Sequence, residues 1–210
     1  MTYTVKEIFF TLQGEGANAG RPAVLCRFAG CNLWNGREAD RSTAICRFCD
    51  TDFRGTNGPR GARYGSPTAL ADAIEAAWPD PESPPFVVLT GGEPALQIDT
   101  KLLEELGRRG FERAVETNGT LDLPLGLDWV CVSPKAGTVL RVKAGDELKV
   151  VHPQPELDLA ALAALDFRWR FVQPMDGPDA AAHLRACVEH CLANPSWRLS
   201  LQTHKLLGIP

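Results

Sequence analysis

The sequence predicts an α/β fold, an incomplete and modified (β/α) barrel. Three observations carry that expectation. Apolar runs of strand length alternate with helical patterns along the chain, which implies parallel strands joined by right-handed crossovers. Nearly every strand candidate ends in polar residues, as in barrels and open α/β sheets whose sites lie at the carboxyl ends of the strands. The length of 210 residues falls short of the roughly 250 of a complete eight-fold barrel, so the barrel should be partly open. With 44% hydrophobic residues the chain can fill a core, and residues 1–210 read as a single domain.

Taken in order, strands are expected at Val5–Thr11, Ala23–Phe28, Phe86–Thr90, Arg113–Thr117, Trp129–Ser133, Glu147–His152, Arg168–Gln173 and Arg198–Thr203. Each is an apolar or alternating run rich in β-branched and aromatic residues. Helices are expected at Pro67–Trp78, Gln97–Arg109, Glu156–Leu165 and Pro178–Ala193. Ser66-Pro67 sets a cap residue before a proline at the first helical position. Gly110 follows Arg108-Arg109 as a helix stop. Asn32–Ile45 and Gly55–Gly65 are rich in glycine and polar residues and read as surface loops.

Composition excludes several classes. Net charge is −4 and the pI about 5.6, which leaves no electrostatic footprint for nucleic acid or an anionic membrane. No apolar run approaches the roughly 20 residues of a membrane span. Met1–Phe10 lacks the layout of a signal peptide. Seven cysteines then read as reduced thiols, and a cytoplasmic location is expected. Cys26, Cys131, Cys187 and Cys191 lie in apolar strand or helix patterns and are assigned to packing or the surface.

The other three cysteines are different. Cys31, Cys46 and Cys49 are separated by fourteen residues and then two. Three thiolates can hold three irons of a 4Fe–4S cluster and leave the fourth iron open. With a fourth ligand from Cys26, Asp50 or a histidine they could instead close a structural zinc site, the mark of a binding module rather than an enzyme. Further along, Thr90-Gly91-Gly92-Glu93-Pro94 follows a strand. The paired glycines let backbone approach a ligand, and Glu93 could hold a charged amino-acid group.

Together these motifs resemble the radical S-adenosylmethionine enzymes, although the first cysteine gap is longer than the usual three. The long gap is similar to that of the 7-carboxy-7-deazaguanine synthase family. So are Phe10–Gly16, Arg27–Trp34, Cys49-Asp50-Thr51, Val115–Gly119 and Ser133-Pro134-Lys135. The resemblance runs from residue 8 to the C-terminus. It implies a radical-type barrel with a 4Fe–4S cluster on Cys31, Cys46 and Cys49, and Mg2+ at Thr51. S-adenosylmethionine would be held by Phe48, Asp50, Gly92, Glu116, Asn118, Ser133, Pro134, Lys135, Gln173, Pro174, Met175 and Asp176. The pterin substrate would be held by Leu12, Gln13, Gly14, Glu15, Arg27, Thr90, His204 and Pro210. By the same resemblance, one electron, from a donor such as flavodoxin, starts a radical contraction of 6-carboxy-5,6,7,8-tetrahydropterin. The product is 7-carboxy-7-deazaguanine, in queuosine-type biosynthesis, and the enzyme is expected as a homodimer. A glycyl-radical activase is the nearest alternative among enzymes.

Overall fold

The computed structural model describes residues 2–210. Nine strands form one sheet: β1 (Tyr3–Leu12), β2 (Pro22–Phe28), β3 (Ala62–Tyr64), β4 (Phe86–Gly91), β5 (Glu112–Thr117), β6 (Trp129–Val132), β7 (Ala144–His152), β8 (Asp166–Pro174) and β9 (Arg198–Leu199). Their spatial order is β3-β1-β2-β4-β5-β6-β7-β8-β9, and β3 does not pair with β9. The sheet is therefore the incomplete barrel expected.

From β2 onward every pairing is parallel. The first edge departs from that expectation. β1 runs antiparallel to both β2 and β3. Only the short turn around Gly16–Asn18 joins β1 to β2, and so short a link can reverse the chain but cannot cross it over. β3 lies inside a segment read as loop, and three residues of mixed polarity give little strand signal.

Helices α1 (Pro67–Glu75), α2 (Thr100–Arg108), α3 (Leu159–Ala163) and α4 (Ala180–Ala193) lie at the expected places with earlier or later ends. Caps fix the starts: Ser66 accepts from Ala69 N, Asp99 from Leu102 N, and Asp158 from Ala160 N and Ala161 N. Each such cap contributes about 1 kcal/mol. Asp99 moves the start of α2 past Gln97, because Pro94–Leu96 forms its own 3-10 turn. At the other end the expected strand Arg198–Thr203 shrinks to two residues. Thr203 N donates to Gly14 O across the sheet, and the tail continues as a helix, α5 (Thr203–Leu207).

Alternation along the strands sorts the side chains. Val24, Cys26, Phe28, Val87, Leu89 and Val115 face outward and pack with Leu70, Ile74, Leu102, Leu103 and Leu106 of α1 and α2. A second core joins Leu148, Val150 and Val172 to Cys187 of α4 and to Trp197. On the opposite, inner face, Ala23, Phe86, Val88 and Ala114 form an apolar floor. One step further along β2, β4 and β5 the inner residues become Arg27, Thr90 and Glu116, and Cys131, Lys149 and Gln173 of β6, β7 and β8 continue that layer. The barrel thus carries a polar layer above an apolar floor.

Candidate active site

That polar layer forms the base of a cavity of about 420 Å³ at the carboxyl ends of the strands. Cys31, Cys46 and Cys49 line it, and all seven cysteines of the chain are free thiols. Among the described residues no three histidine, cysteine or acidic side chains converge tightly enough to grip a single metal ion. The three thiols line one cavity together, with Cys46 and Cys49 side by side. The Cys46 thiol hydrogen-bonds the Cys49 sulfur, which lowers Cys49 to about 6 and raises Cys46. One thiolate of the pair is therefore ready at neutral pH.

Backbone holds this loop against the sheet. Leu33 N donates to Cys31 Sγ at 3.4 Å. Glu93 N donates to Gly30 O at 2.9 Å, and Gly92 N to Phe28 O at 3.2 Å. A Cβ on Gly92 would land on the Gly30 carbonyl oxygen and reach 3.0 Å from the Cys31 Cβ. Glycine is required there by close approach of two backbones. Asn118 donates to Asn32 Oδ1 at 2.9 Å and accepts from Thr120, so it fastens the cysteine loop to the end of β5.

Glu93 departs from its expected role. It is fully buried, and its carboxylate accepts from Thr117 Oγ1, Asn118 N and Ala95 N at 2.7–2.9 Å. Burial still pushes its pKa up. This carboxylate braces the turn after β4 and does not face a ligand.

The polar layer is one connected network. Lys149, 5% exposed, donates to Glu15 Oε2 at 2.6 Å and to Glu116 Oε1 at 2.9 Å. Glu116 also accepts from Gln13 Nε2 at 3.2 Å and Thr90 Oγ1 at 3.3 Å. Gln202 Nε2 donates to Glu15 Oε1 at 3.0 Å. Burial works against the Glu15 charge, but Lys149 outweighs it and holds the carboxyl at about 2. Burial likewise opposes the Lys149 charge, and Glu116 and Glu15 overcome it.

Arg27 sits beside this network with Nε bonded to Glu7 Oε1 at 2.8 Å. Glu7 takes the side of the fork and leaves the two terminal nitrogens for a carboxylate. Arg27 is not on an edge strand, since β2 lies between β1 and β4. Lys135 curls back onto Ser133, donating to its carbonyl and hydroxyl at 2.6 and 2.7 Å, and burial lowers its pKa. Thr51 lines the cavity, and coil rather than helix follows it, so it caps nothing.

The chain's end closes one side. Lys205 donates to Asp50 Oδ2 and Asp176 Oδ2, both at 2.6 Å. A Cβ on Gly14 would land on His204 Nδ1. Thr11 Oγ1 donates to Pro210 O at 2.9 Å. His204 and Pro210 both line the cavity.

Of the residues expected from sequence, Leu12, Gln13, Gly14, Glu15, Arg27, Thr90, Gly92, Glu116, Asn118, Ser133, Lys135, Gln173, Pro174 and Asp176 line this cavity together with Phe48, Asp50 and Thr51. Pro134 and Met175 do not. Pro134 is buried, and Met175 turns its backbone to His152 O and His183. Sequence reasoning missed Lys149, Trp34, Phe53 and Lys205, all cavity residues. Only Lys149 left a signal, as the second of two charges, with Glu147, on the same side of an apolar strand.

Comparison with known proteins bears on this geometry. No family model matches the chain. A 7-carboxy-7-deazaguanine synthase of Burkholderia multivorans is 57% identical over 210 residues, covering 100% of both chains. The chain belongs to the 7-carboxy-7-deazaguanine synthase family. A member from Escherichia coli K12 is 30% identical over 240 residues, again across 100% of both chains. The crystal structure of QueE from Escherichia coli matches with a TM-score of 0.71 and 28% identity, covering 96% of this chain and 94% of that one. Membership makes the chain a radical S-adenosylmethionine enzyme and sets aside the glycyl-radical activase. No helix among the described residues is long and apolar enough to cross a membrane.

Proposed function

We propose that this chain converts 6-carboxy-5,6,7,8-tetrahydropterin to 7-carboxy-7-deazaguanine with loss of ammonia, in queuosine-type 7-deazapurine biosynthesis. The observation that carries the reading is that three free thiols and an inward polar layer open onto one cavity. The residues fit the groups this chemistry needs. Cys31, Cys46 and Cys49 would hold a 4Fe–4S cluster. Phe48, Asp50, Gly92, Glu116, Asn118, Ser133, Lys135, Gln173, Pro174 and Asp176 would hold S-adenosylmethionine. When bound, these two groups supply a carbon-centred radical that takes hydrogen from carbon 6 of the pterin.

The chain's own residues bind and orient. Arg27 offers a planar fork to the pterin carboxylate. Glu15, kept ionised by Lys149, accepts from the 2-amino group and ring N–H, with Gln13 beside it. Charge-assisted bonds of this kind are about twice as strong as neutral ones. His204 and Pro210, brought in by the tail, complete the substrate end and exclude water. Thr51 offers a hard oxygen to Mg2+, whose remaining positions water and substrate oxygens fill.

We infer that residues 1–210 act as one domain, since the described strands form one sheet. A flavodoxin-type donor, a homodimer and a cytoplasmic location belong to the same proposal. The test is anaerobic incubation of the iron-loaded protein with carboxypterin, S-adenosylmethionine, dithionite and Mg2+. The expected result is 7-carboxy-7-deazaguanine and ammonia in equal amounts. Cleavage of S-adenosylmethionine with the pterin left intact would refute the reading.

A further inference from the structure

Fourteen residues separate Cys31 from Cys46, and sequence alone reads them as a surface loop. In the structure they fold on themselves. Ile45 N and Cys46 N both point at Leu33 O, at 3.2 and 3.5 Å, and close the base of the insert. Within it, Glu38–Thr43 forms a 3-10 helix. Asn35 bonds Asp40 and receives Arg37 N. Loop closure is therefore met locally and leaves the insert's ends adjacent.

One side chain leaves this knob and crosses to the other cysteines. Arg41 Nη1 donates to Arg47 O at 2.8 Å and to Cys49 O at 3.0 Å. Its Nε donates to both Glu38 carboxylate oxygens at 2.8 Å, which orients the guanidinium. The guanidinium carbon also lies 4.2 Å from the centre of the Trp34 ring. Trp34 in turn meets Phe53 edge-on at 5.6 Å, and both rings are at least nine-tenths buried. Arg41 thus ties the segment after Cys31 to the carbonyls flanking Cys49, with a planar group that can stack and donate at once.

We propose that Arg41 is a positioning residue for the cluster. It locks the Cys46–Cys49 turn against the Trp34–Phe53 pair, so that the three thiols keep one spacing. The 3-10 insert is the platform that delivers it. This rests on the cluster assignment of the proposed function. Arg41 touches neither the thiols nor the cavity, so its effect should reach the cluster only through the loop. A positive charge beside the loop also favours added negative charge on the cluster, and so its reduction.

The experiment compares wild type, Arg41→Met and Arg41→Lys as iron-loaded proteins. Methionine keeps an apolar stem over Trp34 and removes the donors. Lysine keeps the charge but not the fork. Iron release to a chelator under anaerobic conditions, and the cluster's midpoint potential, are measured beside circular dichroism of the same samples. The expected result is full iron loading in all three proteins. Release should be at least about tenfold faster in Arg41→Met, with partial rescue in Arg41→Lys. The potential should be more negative in Arg41→Met alone. Release within twofold of wild type and an unchanged potential would overturn the role. Collapse of circular dichroism in both variants would assign Arg41 to folding and overturn it too. If wild type holds one zinc and no iron, the reading beneath the proposal fails first, and the role with it.

Discussion

Lys149→Met removes the cation that bridges Glu15 and Glu116 in the inner polar layer while keeping a stem of similar length. Glu15 Oε2 loses its partner at 2.6 Å and Glu116 Oε1 its partner at 2.9 Å. Breaking a buried pair from one side costs about 3–5 kcal/mol, since the other charge stays buried. The Glu15 carboxyl gives a second measure. It sits at about 2 against an ordinary 4.5; at about 1.4 kcal/mol per pH unit that gap is worth about 3 kcal/mol. Glu15 is only 16% exposed, so screening removes little. Gln202 and Gln13 still donate to the two carboxylates, which keeps the cost near the lower bound. At about 2–4 °C per kcal/mol for a chain of this size, the melting point should drop by about 6–12 °C.

The pH dependence has a definite sign. A carboxyl whose folded value is depressed stabilises fully above its unfolded value and loses that contribution as pH falls through the folded one. The gap between wild type and Lys149→Met should therefore be full at pH 7 and narrow from about 4.5 toward 2. Urea unfolding of the cluster-free proteins, followed by tryptophan fluorescence between pH 7 and pH 3, measures it. A gap under about 0.5 kcal/mol at pH 7 would refute the reasoning, as would one that stays constant down to pH 3.

Other perturbations act at single points. Gly92→Ala should drive the turn after β4 off the Gly30 carbonyl and cost at least about 1–3 kcal/mol; thermal melting and iron content should fall together. Glu93→Gln sets an amide against donors of the Thr117, Asn118 and Ala95 cluster, and a loss of about 1–3 kcal/mol is expected in urea unfolding. Thr51→Ala should weaken the Mg2+ dependence of turnover, by an amount on the order of 1–3 kcal/mol, and an identical magnesium titration would contradict the assignment. A C-terminal extension of a few residues should raise KM for the pterin while leaving S-adenosylmethionine binding unchanged, because Pro210 is held at the cavity by Thr11.

Much of this architecture was legible in the sequence, for physical reasons. Strand and helix periods located nearly every element, and Ser66 caps α1 as expected, whereas the Asp158 cap that starts α3 went unread. Polar strand ends placed the site. The antiparallel first edge was legible but overlooked: the link from Leu12 to Pro22 is too short for a crossover, and the strand–helix alternation of the rest of the chain does not extend to it. β9 was expected too long and α5 was missed because the tail takes its direction from bonds of Thr203 to Gly14 O, 189 residues away, which no local pattern encodes. Glu93 misled for a related reason: its partners Thr117 and Asn118 come from another strand. Arg41 and Lys205 carry no local signal of a role, and only folding brings acceptors to them.

The most direct test follows a label at carbon 6 of the carboxypterin. The iron-loaded protein is incubated anaerobically with substrate deuterated at that carbon, S-adenosylmethionine and dithionite, and deuterium is measured by mass spectrometry in product, recovered S-adenosylmethionine and 5′-deoxyadenosine. If the cavity sets carbon 6 against the radical source, deuterium should appear in S-adenosylmethionine as product accumulates. Product formed with deuterium in neither S-adenosylmethionine nor 5′-deoxyadenosine would contradict it.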